Sequence, residues 1–369
     1  MKKIIFISHG TVEGDVRLLK LSRYLSKKGF RLSFLGWNRS GNETTQNSHF
    51  EKIEYVIEKG VGSKLQLVIF YFLFVLKSTL ALNKRIKKEK KEKKDLRIYY
   101  AINFLAGLSI YFNSLVHPEI VYIYDIYDEF GKSYKFPYLI KKIINKFEKR
   151  IRKKAYKIIH VEENRVSDED TNFIIIRNSP FDFYNGDYRY QDKERKFAVT
   201  GWLNNTRGLE SIFSFAHDNS DFKFIIAGKF SDKIIENKFK SLSNVEIYDF
   251  MSQDNLFNLI KNCCGVFSLY DPTIEINRLA ASNKLYDSMM LGIPVIVNKE
   301  IEAAHFVNEH NIGFIVDYLY NDTWDKLSNY NIALIKEFGG NGRKLYTNKF
   351  EFNSQMDKVF MPILNEIVK

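Results

Sequence analysis

The chain has 369 residues, enough for two domains at about 150 residues each. Apolar residues make up 45% and charged residues 27%, which excludes a disordered or fibrous protein. Its two cysteines, Cys263 and Cys264, are adjacent and have no Cys/His ligand spacing around them, which excludes a disulfide framework and a zinc module. The net charge of +12 invites a polyanionic partner: nucleic acid, an anionic membrane surface or a phosphorylated substrate.

In chain order, Lys3–Ser8 reads as a strand; its apolar run is too short for a signal peptide, so the expected compartment is the cytoplasm. Asp15–Lys28 has helical spacing through Leu18, Leu21 and Leu25, Gly29 ends it, and Arg31–Trp37 is the next strand. The strand Ile53–Ile57 precedes an apolar helix at Leu65–Leu76. Leu96–Ala101 and Ile120–Tyr124 are strands around the helix Phe104–Leu115. Phe136–Lys154 is a long basic helix, followed by strands at Lys157–Val161 and Phe173–Ile176. This βαβα order predicts an α/β fold with a parallel sheet covered by helices.

The polar, turn-rich stretch Asn178–Lys196 breaks the pattern and reads as a linker. Alternation restarts with strands at Phe197–Thr200, Phe222–Ala227, Val245–Tyr248, Gly265–Leu269, Pro294–Val297 and Gly313–Val316. Helices are predicted at Leu209–His217, Asp254–Asn262, Leu279–Leu291 and Ile301–Asn308, and the tail Asn353–Val368 is helical in pattern. Two βαβ domains with a cleft between them are the simplest account.

The positive charge is concentrated in the first half. Lys84–Lys94 holds eight Lys/Arg and two Glu, and Lys141–Lys157 holds nine Lys/Arg and one Glu. No RNP signature, helix-turn-helix or zinc finger accompanies them, so nucleic acid is not the expected partner. The twelve residues before the first run span about 18 Å as a helix, against a hydrocarbon core of about 30 Å. They are expected to be too short to cross a bilayer and suited to lying in its interface, with lysines reaching anionic headgroups. A buried core helix with a solvated charged end is the other reading.

The residues with the clearest chemistry lie in 280–296. A loop holds Ser282 and Asn283 and a helix begins near Lys284, so backbone N–H groups and the helix dipole are available to a phosphate. Lys284 adds a point charge, and Asp287, one turn on, can accept two hydrogen bonds from ribose hydroxyls. An ordinary capped α/β turn is the alternative.

This stretch, reading Asn283-Lys-Leu-Tyr-Asp-Ser-Met-Met-Leu-Gly-Ile-Pro-Val-Ile296, resembles the donor-nucleotide motif of GT-B glycosyltransferases, family 4 in particular. Gly265–Pro272 stands where that family has the preceding strand. Gly14-Asp15-Val16-Arg17 resembles the family's opening, Tyr124–Glu129 its "YD-x-HE" strand end, and Ile176–Pro180 its "VIRNSP" block. Thr200-Gly201-Trp202-Leu203 with Arg207-Gly208-Leu209-Glu210 resembles the opening of the nucleotide domain, slightly out of register. The resemblance implies two Rossmann-like domains with parallel sheets facing a central cleft. The first would be 1–180, joined by the C-terminal helix 353–369, and would bind the acceptor; the second would be 194–350 and would bind the donor.

The implied activity is metal-independent transfer of a sugar from a UDP- or GDP-linked donor, with no cofactor. Arg207 and Lys284 would neutralise the diphosphate leaving group. Gly201, Ser282, Asn283 and Leu285 would complete the nucleotide site, and Asp287 would hold the ribose. The family often carries two Glu with seven residues between them; here the positions hold Leu279 and Asp287, and Glu275 or Asn277 would substitute for the first. Tyr127 replaces a His that touches the transferred sugar in family members. An inverting reaction needs a base near the acceptor hydroxyl, and His9, Asp15, Asp128 and Glu129 are the candidates. Both basic runs and the apolar helix fall in the acceptor domain. The expected acceptor is therefore a polyprenyl-diphosphate-linked glycan in surface polysaccharide or capsule assembly, met on the inner face of the plasma membrane. A non-catalytic GT-B-shaped subunit, motivated by Leu279 and Tyr127, and a sugar-nucleotide epimerase on the same fold are the other readings.

Overall fold

The computed structural model describes residues 2–39, 49–91, 97–133, 136–279 and 282–367. Lys93 and Lys94 of the first basic run, Leu96, and Ala280 and Ala281 of the nucleotide-like motif lie outside them. The chain divides into two compact units, one of Met1–Arg177 with Met356–Lys369 and one of Asn178–Gln355.

The first unit is built on seven strands: β1 (Lys3–Ile7), β2 (Arg31–Asn38), β3 (Lys52–Glu58), β4 (Arg97–Ile102), β5 (Val121–Asp125), β6 (Lys157–His160) and β7 (Phe173–Ile175). All pair in parallel, in the order β3-β2-β1-β4-β5-β6-β7. Parallel pairing requires a crossover between neighbours, which is why the sequence alternates strand and helix. It also gathers the loops that follow the strands at one edge. The helix Val16–Lys27 starts where Asp15 Oδ1 accepts from the Leu18 N–H at 2.9 Å, and it buries Leu18, Leu21 and Leu25.

The apolar helix is longer than its twelve-residue core. It runs Lys64–Lys91, 28 residues, about 42 Å at 1.5 Å each, and carries most of the first basic run as its last turns. By length and composition it is able to cross a membrane, which overturns the expectation that it is too short. Lysine and arginine are good helix formers, so the charged segment propagates the helix rather than ending it. One side packs into the core through Phe74, Ser78, Leu82 and Ile86. Ser78 Oγ lies 2.6 Å from Ser109 Oγ, and Asn113 Nδ2 donates to the Thr79 carbonyl at 3.1 Å, both from the helix Asn103–Val116. The other side exposes Leu65, Val68, Ile69, Phe72, Leu76 and Leu80.

The second unit is a six-stranded parallel sheet of β8 (Glu194–Leu203), β9 (Lys223–Phe230), β10 (Val245–Tyr248), β11 (Cys263–Ser268), β12 (Val295–Asn298) and β13 (Gly313–Val316). Its order is β10-β9-β8-β11-β12-β13. An aromatic cluster around Phe197, Phe215, Phe267 and Trp324 fills one face, and Met289, Met290, Leu291 and Val295 belong to a second cluster. β8 begins within the stretch read as linker. Residues before it are also tied to this unit: Arg343 forks Asp182 at 2.7 and 2.8 Å, and Tyr346 Oη donates to the Pro180 carbonyl at 3.0 Å.

Two of the longer helices in the second unit carry a weak sequence signal. Lys233–Lys240 buries only Ile235 and Phe239, and Ile332–Leu345 carries Gly339, Gly340 and Gly342, which lower helix propensity. Gly339 is there for close approach, since a Cβ would meet the Gly292 carbonyl oxygen at 2.3 Å. The expected helix Leu279–Leu291 is a short turn at Glu275–Arg278 and a helix at Asn283–Leu291. The tail is broken into Phe352–Gln355, a π-helical Met356–Phe360 and Met361–Ile367.

Candidate functional site

In the second unit the residues singled out by motif gather where β8 and β11 end. Gly201 has φ +93°, a conformation that disfavours side chains, and it brings bare backbone to this edge. The Lys284 ammonium lies 3.7 Å from where a Gly201 Cβ would stand. Lys284 sits in the first turn of Asn283–Leu291, which follows Ser282 in extended conformation and is closed by Gly292 in the left-handed conformation. Ser282 is buried and accepts from Ser268 Oγ at 2.7 Å, fixing the loop to the end of β11. A helix start with a lysine folded back over a glycine backbone offers N–H groups and positive charge of the kind that can hold an anion.

Arg207 lies in the loop after β8. Its guanidinium stacks 4.0 Å from the Tyr270 ring centroid, and its buried Nη1 has no hydrogen-bond partner among the described residues. The helix that follows, Leu209–Asp218, begins after Gly208, whose N–H donates to Tyr318 Oη at 3.3 Å; that hydroxyl donates to the Asn205 carbonyl at 3.4 Å. Tyr270 and Tyr318 were not legible as site residues, because each acts on a residue 63 or more positions away in the chain.

The other motif residues divide. Asp287 is half-buried one turn after Lys284. Asn283 is exposed, and its side-chain oxygen accepts from Asn178 Nδ2 at 2.8 Å. Leu285 is a core residue whose N–H donates to the Ser282 carbonyl at 3.1 Å, so it contributes packing. Glu275 is exposed on the short turn, while Asn277 Nδ2 is held by the Asp271 carbonyl at 3.1 Å.

In the first unit, Asp15 and Tyr127 come together, with Tyr127 Oη 3.3 Å from Asp15 Oδ1 and the Arg17 guanidinium 5.3 Å from the Tyr127 ring. Asp15 is first of all the helix cap. Burial pushes its carboxyl up, against hydrogen bonds from Leu18 and Tyr127 that pull it down. Below it, Arg17 Nε and Nη2 grip the Asp125 carboxylate at 3.1 Å each, and Arg17 Nη1 donates to the Ile176 carbonyl at 2.9 Å. Asn103, with φ +62°, accepts the Tyr127 N–H at 2.9 Å and so positions that loop.

Asp128 and Glu129 are bound elsewhere. Asp128 accepts from Arg165 at 3.0 Å. Glu129 accepts from Arg152 at 3.1 Å; Arg152 also pairs with Glu148 and Asp170. The His9 ring lies 6.1 Å from that of Tyr71. Burial, with the Arg39 charge beside it, pushes His9 down to about 4. Among the described residues no three His, Cys, Asp or Glu side chains are grouped to hold a metal ion.

Residues 211–341 match the family model described as glucosyltransferase 3-like, C-terminal domain. No curated protein sequence matches the chain. Solved structures do. The sucrose-phosphate synthase of Thermosynechococcus elongatus superposes with TM-score 0.69 at 14% identity, over 99% of this chain and 100% of that one. Anabaena HepE in complex with UDP and glucose gives TM-score 0.69 at 14% identity, over 98% and 99%. WaaG, a glycosyltransferase involved in lipopolysaccharide biosynthesis, gives 0.62 at 12% identity, over 98% and 99%.

The chain has the GT-B fold of glycosyltransferases. Two parallel α/β sheets of this GT-B fold were the expectation from sequence, and the glucosyltransferase 3-like match falls within the unit that carries Lys284 and Asp287.

Proposed function

We propose that this protein transfers a sugar from a nucleotide-sugar donor, UDP-linked in preference to GDP-linked, to a lipid-linked glycan acceptor, without a metal ion. The observation that carries the reading is the Lys284 ammonium poised over Gly201 at a helix start, with Arg207 beside the same strand end. As the bond between the sugar's anomeric carbon and the diphosphate oxygen breaks, negative charge develops on the diphosphate. Fixed cations and backbone N–H groups aimed at that position lower the barrier because they need no reorganisation. HepE has been captured with UDP and with UDP-glucose, which favours uridine. Calorimetry with UDP and GDP tests the donor half: UDP binding is expected, and a protein that binds neither nucleotide is the non-catalytic subunit instead.

For the acceptor we propose peripheral docking on an anionic membrane. The exposed apolar side of Lys64–Lys91 is joined by Tyr138, Leu139, Ile140 and Ile143, exposed at the start of the basic helix Tyr138–Lys154. An apolar face with abundant lysine suits an interface, each lysine adding about 1 kcal/mol near anionic lipid. The opposite side of Lys64–Lys91 is core, so the helix stays with its unit instead of spanning the bilayer. Flotation with liposomes containing phosphatidylglycerol should recover the protein, and alkaline carbonate should release it. Replacing Phe72 and Leu76 together by Ser should reduce recovery severalfold. Undiminished recovery of that variant, or resistance to carbonate, overturns peripheral docking.

A further inference from the structure

We propose that Arg39 and His9 form an oxyanion-binding subsite on the first unit, taking a phosphoryl or carboxylate group of an acidic acceptor. His9 follows β1 and Arg39 follows β2, adjacent parallel strands, so both stand at the sheet edge where the strand-following loops collect. The two strand ends are locked together by Trp37 N–H donating to the Gly10 carbonyl at 3.3 Å and Ser8 N–H donating to the Leu35 carbonyl at 3.1 Å.

Among the described residues the guanidinium is held by aromatic faces and not by an acid. It lies 4.4 Å from the Trp37 ring centroid and 5.7 Å from that of Tyr71, which meets the His9 ring in a T-shaped pair. Trp37 is itself fixed, stacked on Phe70 at 5.5 Å and donating through Nε1 to the Lys59 carbonyl at 2.9 Å. Stacking orients the fork and leaves its N–H groups available.

Those groups are unused. Arg39 Nε, Arg39 Nη2 and His9 Nδ1 are all buried atoms without a hydrogen-bond partner among the described residues. Nε and Nη2 are the same pair of nitrogens through which Arg17 grips Asp125, so the unit shows what that edge takes when it is filled: two oxygens of one anion. A buried donor without an acceptor is costly, more so on a charged group. Burial beside Arg39 keeps the imidazole neutral near pH 7, so it supplies no second positive charge and its Nδ1, in the tautomer protonated there, donates to a third oxygen. Two oxygens across the fork and one on the imidazole describe a phosphoryl group; two alone describe a carboxylate.

The inference rests on the proposed function only in naming the acceptor as carrier. The test uses the full chain with UDP in excess to fill the donor site. Calorimetry with sulfate, a tetrahedral stand-in for a phosphoryl group, and with glucuronate, a carboxylate sugar, should detect binding of at least one. The tighter of the two identifies the source: sulfate a lipid phosphate, glucuronate an acidic glycan. Arg39→Gln should weaken that binding about ten- to a hundredfold, and Arg39→Lys, which keeps the charge but loses the fork, severalfold. Wild-type affinity in Arg39→Gln, or no binding of either anion to the wild type, overturns the subsite. If Arg39→Gln does not fold, Arg39→Lys and His9→Asn decide in the same way. Titration of UDP into the same proteins reports the donor reading separately, so each fails on its own measurement.

Discussion

Lys284→Ala is expected to weaken UDP binding and to lower kcat/KM for any UDP-sugar about ten- to a hundredfold, the effect of removing a charge-assisted contact worth about 1.5–3 kcal/mol. The fold should tolerate the change. Lys284 lies half-exposed on a helix whose packing comes from Leu285, Tyr286, Met289 and Met290, and alanine is the best helix former. A melting temperature near the wild-type value with UDP binding lost would place the defect at the site. UDP bound as tightly by Lys284→Ala as by the wild type removes Lys284 from the diphosphate site.

The second large effect is expected in the first unit. Arg17→Ala or Asp125→Ala should each destabilise it by about 3–5 kcal/mol, because removing one partner leaves the other charge buried and unpaired. Arg17 is 6% and Asp125 0% exposed, so water does not reach the charge that remains. The anchor is compound: Arg17 also holds the Ile176 carbonyl, and Tyr100 Oη donates to Asp125 Oδ2 at 2.5 Å. Set against a whole-domain stability of about 5–15 kcal/mol, either substitution removes a large share. Urea unfolding of the single variants and the double variant forms a cycle. Costs that simply add, with no coupling between the positions, would contradict the paired arrangement.

The strands were readable because each is a short β-branched or aromatic run between turn residues, and burial on both faces leaves nearly continuous apolar character. The length of the helix Lys64–Lys91 is not legible in the sequence because its signal changes partway, from apolar residues to lysines, while the backbone continues. The stretch before β8 looked like a linker because what fixes it is distant: Asp182 finds Arg343, 161 positions on, and no local period reports such a pair. Ser282, Lys284 and Asp287 could be named as candidates because they share one local motif. The contacts that Tyr270 and Tyr318 make around Arg207 and Gly208 converge through the fold and leave no local signal. Asp128 and Glu129 are base candidates by sequence, yet Arg165 and Arg152 hold them, arginines that belong to later elements.

The return of the chain to the first unit at Met356 sets an order of events during synthesis. Asn178–Gln355 is one contiguous piece whose ends meet, Gln355 Nε2 donating to Ser179 Oγ at 2.6 Å. The first unit is discontinuous: Phe360 and Leu364 are fully buried in it, the Phe360 ring packs 6.1 Å from that of Tyr100, and Asp357 accepts from Lys28 at 2.6 Å. A ribosome delivers residues from the N-terminus onward. The second unit therefore has all of its parts before the first does, although it is encoded later, and the older segment waits, with apolar surface uncovered, for the segment from Met356.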